Sequence, residues 1–156
     1  MSSFLDPLFC LRSSHAISGL GSYKYVFVDA RYESIRHGGS VIKCAVLTAI
    51  GISPDHKREV LGVSIALSEA EVHWRDFFRG LQARGLHGIE LIISDDHAGL
   101  KAARQAVFPS IPWQRCQFHL QQNAQAYVPK KDLKSKVAAS IRSIFNAPNR
   151  TEAERL

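Results

Sequence analysis

Hydrophobic and polar positions follow two periods along the chain. Residues 23–31 (YKYVFVDAR) are aromatic and β-branched, residues 41–50 (VIKCAVLTAI) form a second apolar run, and residues 59–66 (EVLGVSIA) alternate as a third. This pattern predicts three strands. Short connections rich in turn formers, His37-Gly38-Gly39-Ser40 and Ser53-Pro54-Asp55, favour an antiparallel meander. From Ser68 the period changes to that of a helix. Ser68 and Glu71 have the spacing of a capping box, Val72, Trp74, Phe77, Phe78 and Leu81 supply an apolar face, and Gly85 ends the segment. Residues 89–94 (IELIIS) are a nearly continuous apolar run, expected as a buried strand that pairs in parallel after a helical crossover. A helix over residues 98–107 is expected before Pro109, then a short fifth strand over residues 113–118, and helices over 119–127 and 132–145. The last of these carries Leu133, Val137, Ile141, Ile144 and Phe145 at helical spacing. The order β-β-β-α-β-α-β-α predicts an α/β domain whose mixed sheet begins as a meander and continues by crossovers. Residues 1–22 lack a clear pattern and are expected to contribute little.

Length and composition narrow the class. The 156 residues suit one domain, and 46% hydrophobic with 22% charged residues is ordinary globular composition, which argues against disorder or a disulfide scaffold. Charge changes the picture more. Residues 1–100 hold ten basic and eleven acidic side chains, whereas residues 101–156 hold ten basic and three acidic, so the C-terminal third is a candidate polyanion-binding face. Three cysteines, at 10, 44 and 116, are too few and too irregular for a disulfide framework and suit a reducing cytoplasm. No apolar stretch approaches the roughly 20 residues of a membrane helix, and the first twenty residues do not read as a signal peptide. A soluble cytoplasmic protein without a membrane partner is therefore expected.

Two acids stand out. Asp29 follows Tyr25-Val26-Phe27-Val28 and Asp95 follows Leu91-Ile92-Ile93-Ser94, so each is expected at or near the carboxyl end of a largely buried strand. If those strands are parallel neighbours, both acids meet in the crevice where open α/β sheets bind ligands. Two close carboxylates repel unless they share a proton or hold a cation such as Mg²⁺, and a metal held there suits displacement at a phosphodiester. The plainer alternative is that strand-end aspartates are caps or turn residues, Asp96 in particular capping the helix near Ala98. Cys116 and His119 form a C-x-x-H pair; half of a zinc site without a second pair is more simply a buried Cys beside a His at a helix start, or part of a pocket. Arg115, Lys130, Lys131, Lys134 and Lys136, with Trp113 and Tyr127 nearby, suit phosphate contact and base stacking, or form a solvated helix face. No P-loop, G-x-G-x-x-G or G-x-S-x-G is present, so nucleotide hydrolysis, dinucleotide binding and hydrolase-type acyl transfer have no support.

Taken together, YKYVFVDARYESIR, LTAIGI, REVLGVSIALSEAEVHWRDFFRGLQARGLHGIELIISDDHAGLKAA and WQRCQFHLQQN resemble the mutator-type transposases of bacterial insertion sequences. The resemblance runs from about Tyr23 to the C-terminus. It implies a ribonuclease H-like catalytic fold with an Asp, Asp, Glu triad that uses Mg²⁺ or Mn²⁺ to cut and join DNA, with insertion-sequence ends and target DNA as partners and a homo-oligomer as one form of assembly. By motif, the first acid is Asp29 and the second Asp95, and both would be metal ligands. Asp96, His97, Cys116 and His119 would line the pocket, and Arg115, Lys130, Lys131 and Lys134 would meet DNA. The sequence also departs from the family pattern. The family's third acid lies beyond a helical insertion downstream, Glu152 and Glu154 do not match its motif, and Gln122 stands where many members have an arginine. Residues 1–22 match no family segment. These departures imply a partial catalytic domain over residues 23–156, an incomplete fragment that lacks the third catalytic acid and is inactive alone; the alternative is a non-catalytic DNA-binding or self-associating module.

Overall fold

The computed structural model describes residues 19–37 and 39–156. Among these, the strands are β1 (Tyr25–His37), β2 (Ser40–Ile52), β3 (Arg58–Ala66), β4 (Leu91–Ser94) and β5 (Trp113–Arg115). The helices are α1 (Glu71–Ala83), α2 (Ala98–Val107), α3 (Gln117–Ala126), α4 (Lys131–Phe145) and α5 (Arg150–Arg155). The sheet order is β3-β2-β1-β4-β5. β1 and β2, and β2 and β3, pair antiparallel, while β4 pairs parallel to β1. This is the mixed α/β sheet expected from the sequence: hairpins can join the first three strands, but the parallel return to β1 needs the crossover that α1 provides.

Alternation in β1 decides which side chains reach the core. Val26 and Val28 are buried at 1% and 2% exposure, whereas Tyr25 and Phe27 on the other face remain open to solvent. Ala45, Leu47 and Ala49 of β2, Leu61 of β3 and Ile92 of β4 join the buried side, together with Trp74, Phe78 and Leu81 of α1 and Leu100 and Ala103 of α2. The helix α1 ends as expected: Gly85 adopts φ +93°, its N–H donates to the Gln82 carbonyl, and Leu86 N–H donates back to the Leu81 carbonyl.

Several boundaries differ from expectation. The helix α1 starts at Glu71 behind Ala70, and Ser68 accepts only from the Ala70 N–H (3.4 Å), so the capping box does not form; Glu71 instead pairs with Arg75 one turn on. Val72 falls on the solvent side of α1. The fifth strand stops at Arg115, because Phe118 is already in the first turn of α3. Segment 1–22 contributes more than its lack of pattern implies: Leu20 is 6% exposed in the core and its N–H donates to the Arg84 carbonyl (2.6 Å). Residues 1–18, Cys10 included, lie outside the described residues, as does Gly38 of the first turn.

The chain divides into two compact units, the first running to Gln114 and the second comprising Arg115–Leu156. In the second, α3 packs against α4 and α4 against α5. Among the described residues, no helix is long and apolar enough to cross a membrane.

Candidate functional site

In the first unit, β1 and β4 bring Asp29 and Asp95 together. The last parallel pair is Val28 with Ser94, and each acid is the next residue of its chain. Neighbouring strands lie about 4.8 Å apart, so the two acids are adjacent at the carboxyl end of β4; Asp29, expected at a strand end, instead lies inside β1, which β2 pairing carries on to His37. On its other side Asp29 pairs with Thr48 of β2, whose hydroxyl donates to the Asp29 carbonyl (3.2 Å). Asp29 is exposed and Asp95 half-buried.

The end of β4 is held from below. Ser94 is buried at 1% exposure; its hydroxyl donates to the Asp95 carbonyl (2.8 Å) and accepts from the Trp113 indole N–H (2.9 Å). The Asp95 carboxylate accepts from the His97 N–H (3.2 Å), the turn bond that is the plainer role of a strand-end aspartate. Asp96 does not cap α2: His97 occupies the cap position without a side-chain bond, and Asp96 pairs with Lys101 (2.6 Å). Lys101 also sits over the Trp113 ring, 5.4 Å from its centroid.

A further acid stands here that the sequence pattern does not single out. Glu69, in the connection between β3 and α1, stands with Oε2 3.8 Å from His97 Nδ1, and its side chain is only 14% exposed. Burial pushes its carboxyl above the usual range; His97 opposes that rise, while the negative charges of Asp95 and Asp29 add to it. No signal in the local sequence marks Glu69, because the Ser68 to Glu71 spacing reads as a helix cap. The donor set of Asp29 and Asp95, two hard oxygen ligands, fits Mg²⁺ or Mn²⁺. Among the described residues, no three His, Cys, Asp or Glu side chains stand so as to enclose a metal.

In the second unit, Cys116 caps α3 without a side-chain hydrogen bond, and His119 lies one turn on, its ring edge-on to Phe118 with centroids 5.4 Å apart. Arg115, Asn123 and Tyr127 share a groove of about 520 Å³ with Leu120, Ala124 and Ala126. Tyr127 is 89% exposed. Lys130 is the cap residue of α4, and Lys131 and Lys134 lie in its first turns. Cations at a helix N-terminus oppose the helix dipole, so an anion bound there would relieve a cost.

A family model described as "Transposase, Mutator family" matches residues 17–155. The chain belongs to the mutator family of transposases. It is 61% identical over 137 residues to the transposase for insertion sequence element IS406 of Burkholderia multivorans, covering 88% of this chain and 35% of that relative. It is 40% identical over 124 residues to the transposase for insertion sequence element IS256 in transposon Tn4001 of Staphylococcus aureus, covering 80% of this chain and 32% of the relative. This mutator-family chain thus spans about a third of the length of the relatives it matches. Among solved structures, the Drosophila P element transposase strand transfer complex is similar over 79% of this chain and 33% of that chain, at 12% identity and a TM-score of 0.42.

Proposed function

We propose that this chain is part of the catalytic domain of a transposase that cuts and joins DNA at insertion-sequence ends, with Asp29 and Asp95 holding Mg²⁺ or Mn²⁺. The observation that carries the reading is the register of β1 and β4, which sets the two acids side by side just beyond the last parallel pair. A divalent ion held there supplies charge stabilisation at a phosphodiester and an activated oxygen nucleophile. The chain's own residues supply the frame. Thr48 and Ser94 fix the two backbones that present the acids, and the Asp95 to His97 turn orients one carboxylate. Asp96 and His97 of the first unit are assigned to the pocket around the two acids, Cys116 and His119 of the second unit are pocket residues by family resemblance alone, and Arg115, Lys130, Lys131 and Lys134 are assigned to DNA phosphates. Asp, Asp, Glu chemistry, the identity of the ion, DNA as partner and self-association belong to this proposal, as does the assignment of residues 23–156 as a partial catalytic domain.

Titration with Mn²⁺ tests the metal assignment. Paramagnetic broadening should centre on Asp29 and Asp95 and vanish in an Asp29→Asn, Asp95→Asn variant. Broadening that persists in that variant refutes it. The second reading, a DNA-binding module without catalysis, is favoured by the lack of a third enclosing ligand among the described residues.

A further inference from the structure

In the second unit, one face of α3 forms a recess whose chemistry differs from that of a solvated helix. Leu120, Asn123, Ala124 and Tyr127 recur at helical spacing, so they stand in a row along α3. Leu120 and Ala124 are half-buried, and Ala124, the smallest of the four, leaves room that a longer side chain would fill. Arg115 adds a guanidinium to the wall, and exposed Asn123 adds an amide that can both donate and accept. Tyr127 closes the row where α3 ends; its backbone N–H donates to the Ala124 carbonyl (3.2 Å), and the residue is 89% exposed. A single exposed tyrosine is ordinary. One that borders apolar side chains, a cation and an amide in a groove of about 520 Å³ belongs to a site built for a ligand.

Charge selects the occupant. Beyond Tyr127 the chain turns at Pro129 into Lys130, Lys131 and Lys134, and the unit holds eight basic against three acidic side chains. Two of those acids, Glu152 and Glu154, pair with Arg155 and Arg150 in α5, and no acid among the described residues lines the groove. The fitting ligand is a polyanion that also offers flat faces to an aromatic ring. In a duplex those base faces are covered by their neighbours, whereas in an unpaired strand they are available. We propose that this groove binds an unpaired nucleotide of single-stranded DNA, with the base stacked on Tyr127, its edge met by Asn123 and its phosphate by Arg115. The proposal rests on DNA being the partner of this chain.

The test is fluorescence anisotropy of the 156-residue chain at low ionic strength with three labelled probes of about twelve nucleotides, within the span such sites cover: an oligothymidylate, a strand of abasic sites with the same charge, and a duplex. Tyr127→Ala should weaken oligothymidylate binding about fivefold or more, while the abasic strand and the duplex stay within about twofold of wild type. The wild-type chain should prefer the oligothymidylate to the abasic strand by a similar factor, and Tyr127→Phe, which keeps the ring, should bind as wild type does. Thermal unfolding checks that each variant is folded. Equal loss on all three probes, or no loss on the oligothymidylate in a folded Tyr127→Ala chain, overturns the stacking site and leaves DNA standing as the partner. Duplex binding by wild type without oligothymidylate binding does the same. Failure of wild type to bind any probe overturns DNA as the partner, and this proposal with it. A Tyr127→Ala chain that does not fold would make Tyr127 a structural residue, which also overturns the proposal.

Discussion

Tyr23, buried at 7% exposure, donates its phenolic proton to Glu59 of β3 at 2.6 Å. That bond, then burial and the negative charge of Glu59, push the phenol from 10.0 up to about 12. The folded chain therefore keeps the proton where the unfolded chain has lost it. The contribution is full below about pH 10 and is lost as pH rises toward 12. Tyr23→Phe should lower stability at pH 8 by about 1–2 kcal/mol and remove most of the loss between pH 10 and 12, as read by urea unfolding at several pH values. An equally steep alkaline loss in Tyr23→Phe would refute the assignment. At this scale the sequence reveals Asp29 and Asp95, because a charge that ends an apolar run stands out locally. It conceals Glu69, whose place depends on Gly99, thirty residues away, and on Tyr32 of another strand.

Elements are legible where hydrophobic pattern and hydrogen bonding agree, and less so where one acts without the other. The strand β1 runs on to His37 because β2 pairs with it along its whole length, although residues 31–36 are exposed apart from the half-buried Ile35 and show no clear apolar alternation. The helix α3 buries no residue fully, so nothing in the apolar pattern separates its start at Gln117 from the strand before it. The contact between α2 and the Glu69 connection leaves no trace in the pattern either, although α1 and α2 both carry the expected apolar faces. That contact has a testable requirement. Gly99→Ala places a methyl against backbone at Glu69, Ala70 and Glu71, which cannot rotate away as a side-chain tip can. It should destabilise by about 1–3 kcal/mol, although alanine is the better helix former. If urea unfolding shows Gly99→Ala to be neutral or stabilising, the close packing of α2 on this connection is wrong.

On the scale of the whole molecule, sequence exposes the fold class and the uneven charge, since both are sums over many residues; it does not show that Arg115–Leu156 forms a compact unit of its own. That unit holds eight basic and three acidic side chains. Glu152 and Glu154 pair with Arg155 and Arg150, whereas Lys130, Lys131 and Lys134 make no salt bridge among the described residues. Binding of duplex DNA should therefore be strongly salt-dependent and largely independent of sequence. Replacing Lys130, Lys131 and Lys134 by Ala should reduce the logarithmic salt slope by up to about 0.9 for each phosphate that is no longer neutralised. An unchanged slope would make these lysines a solvated face. Catalysis sets a stricter demand than binding, because both ions of a two-metal displacement must be held for attack and departure to be stabilised together. On the proposed assignment Asp29 and Asp95 would supply two ligands, and no third side chain among the described residues encloses an ion with them. Losing one well-placed stabilising group can cost about 10²-fold or more in rate, so the isolated 156-residue chain is expected not to cleave labelled insertion-end DNA in Mg²⁺ or Mn²⁺. Cleavage that disappears in Asp29→Asn, Asp95→Asn would overturn this expectation.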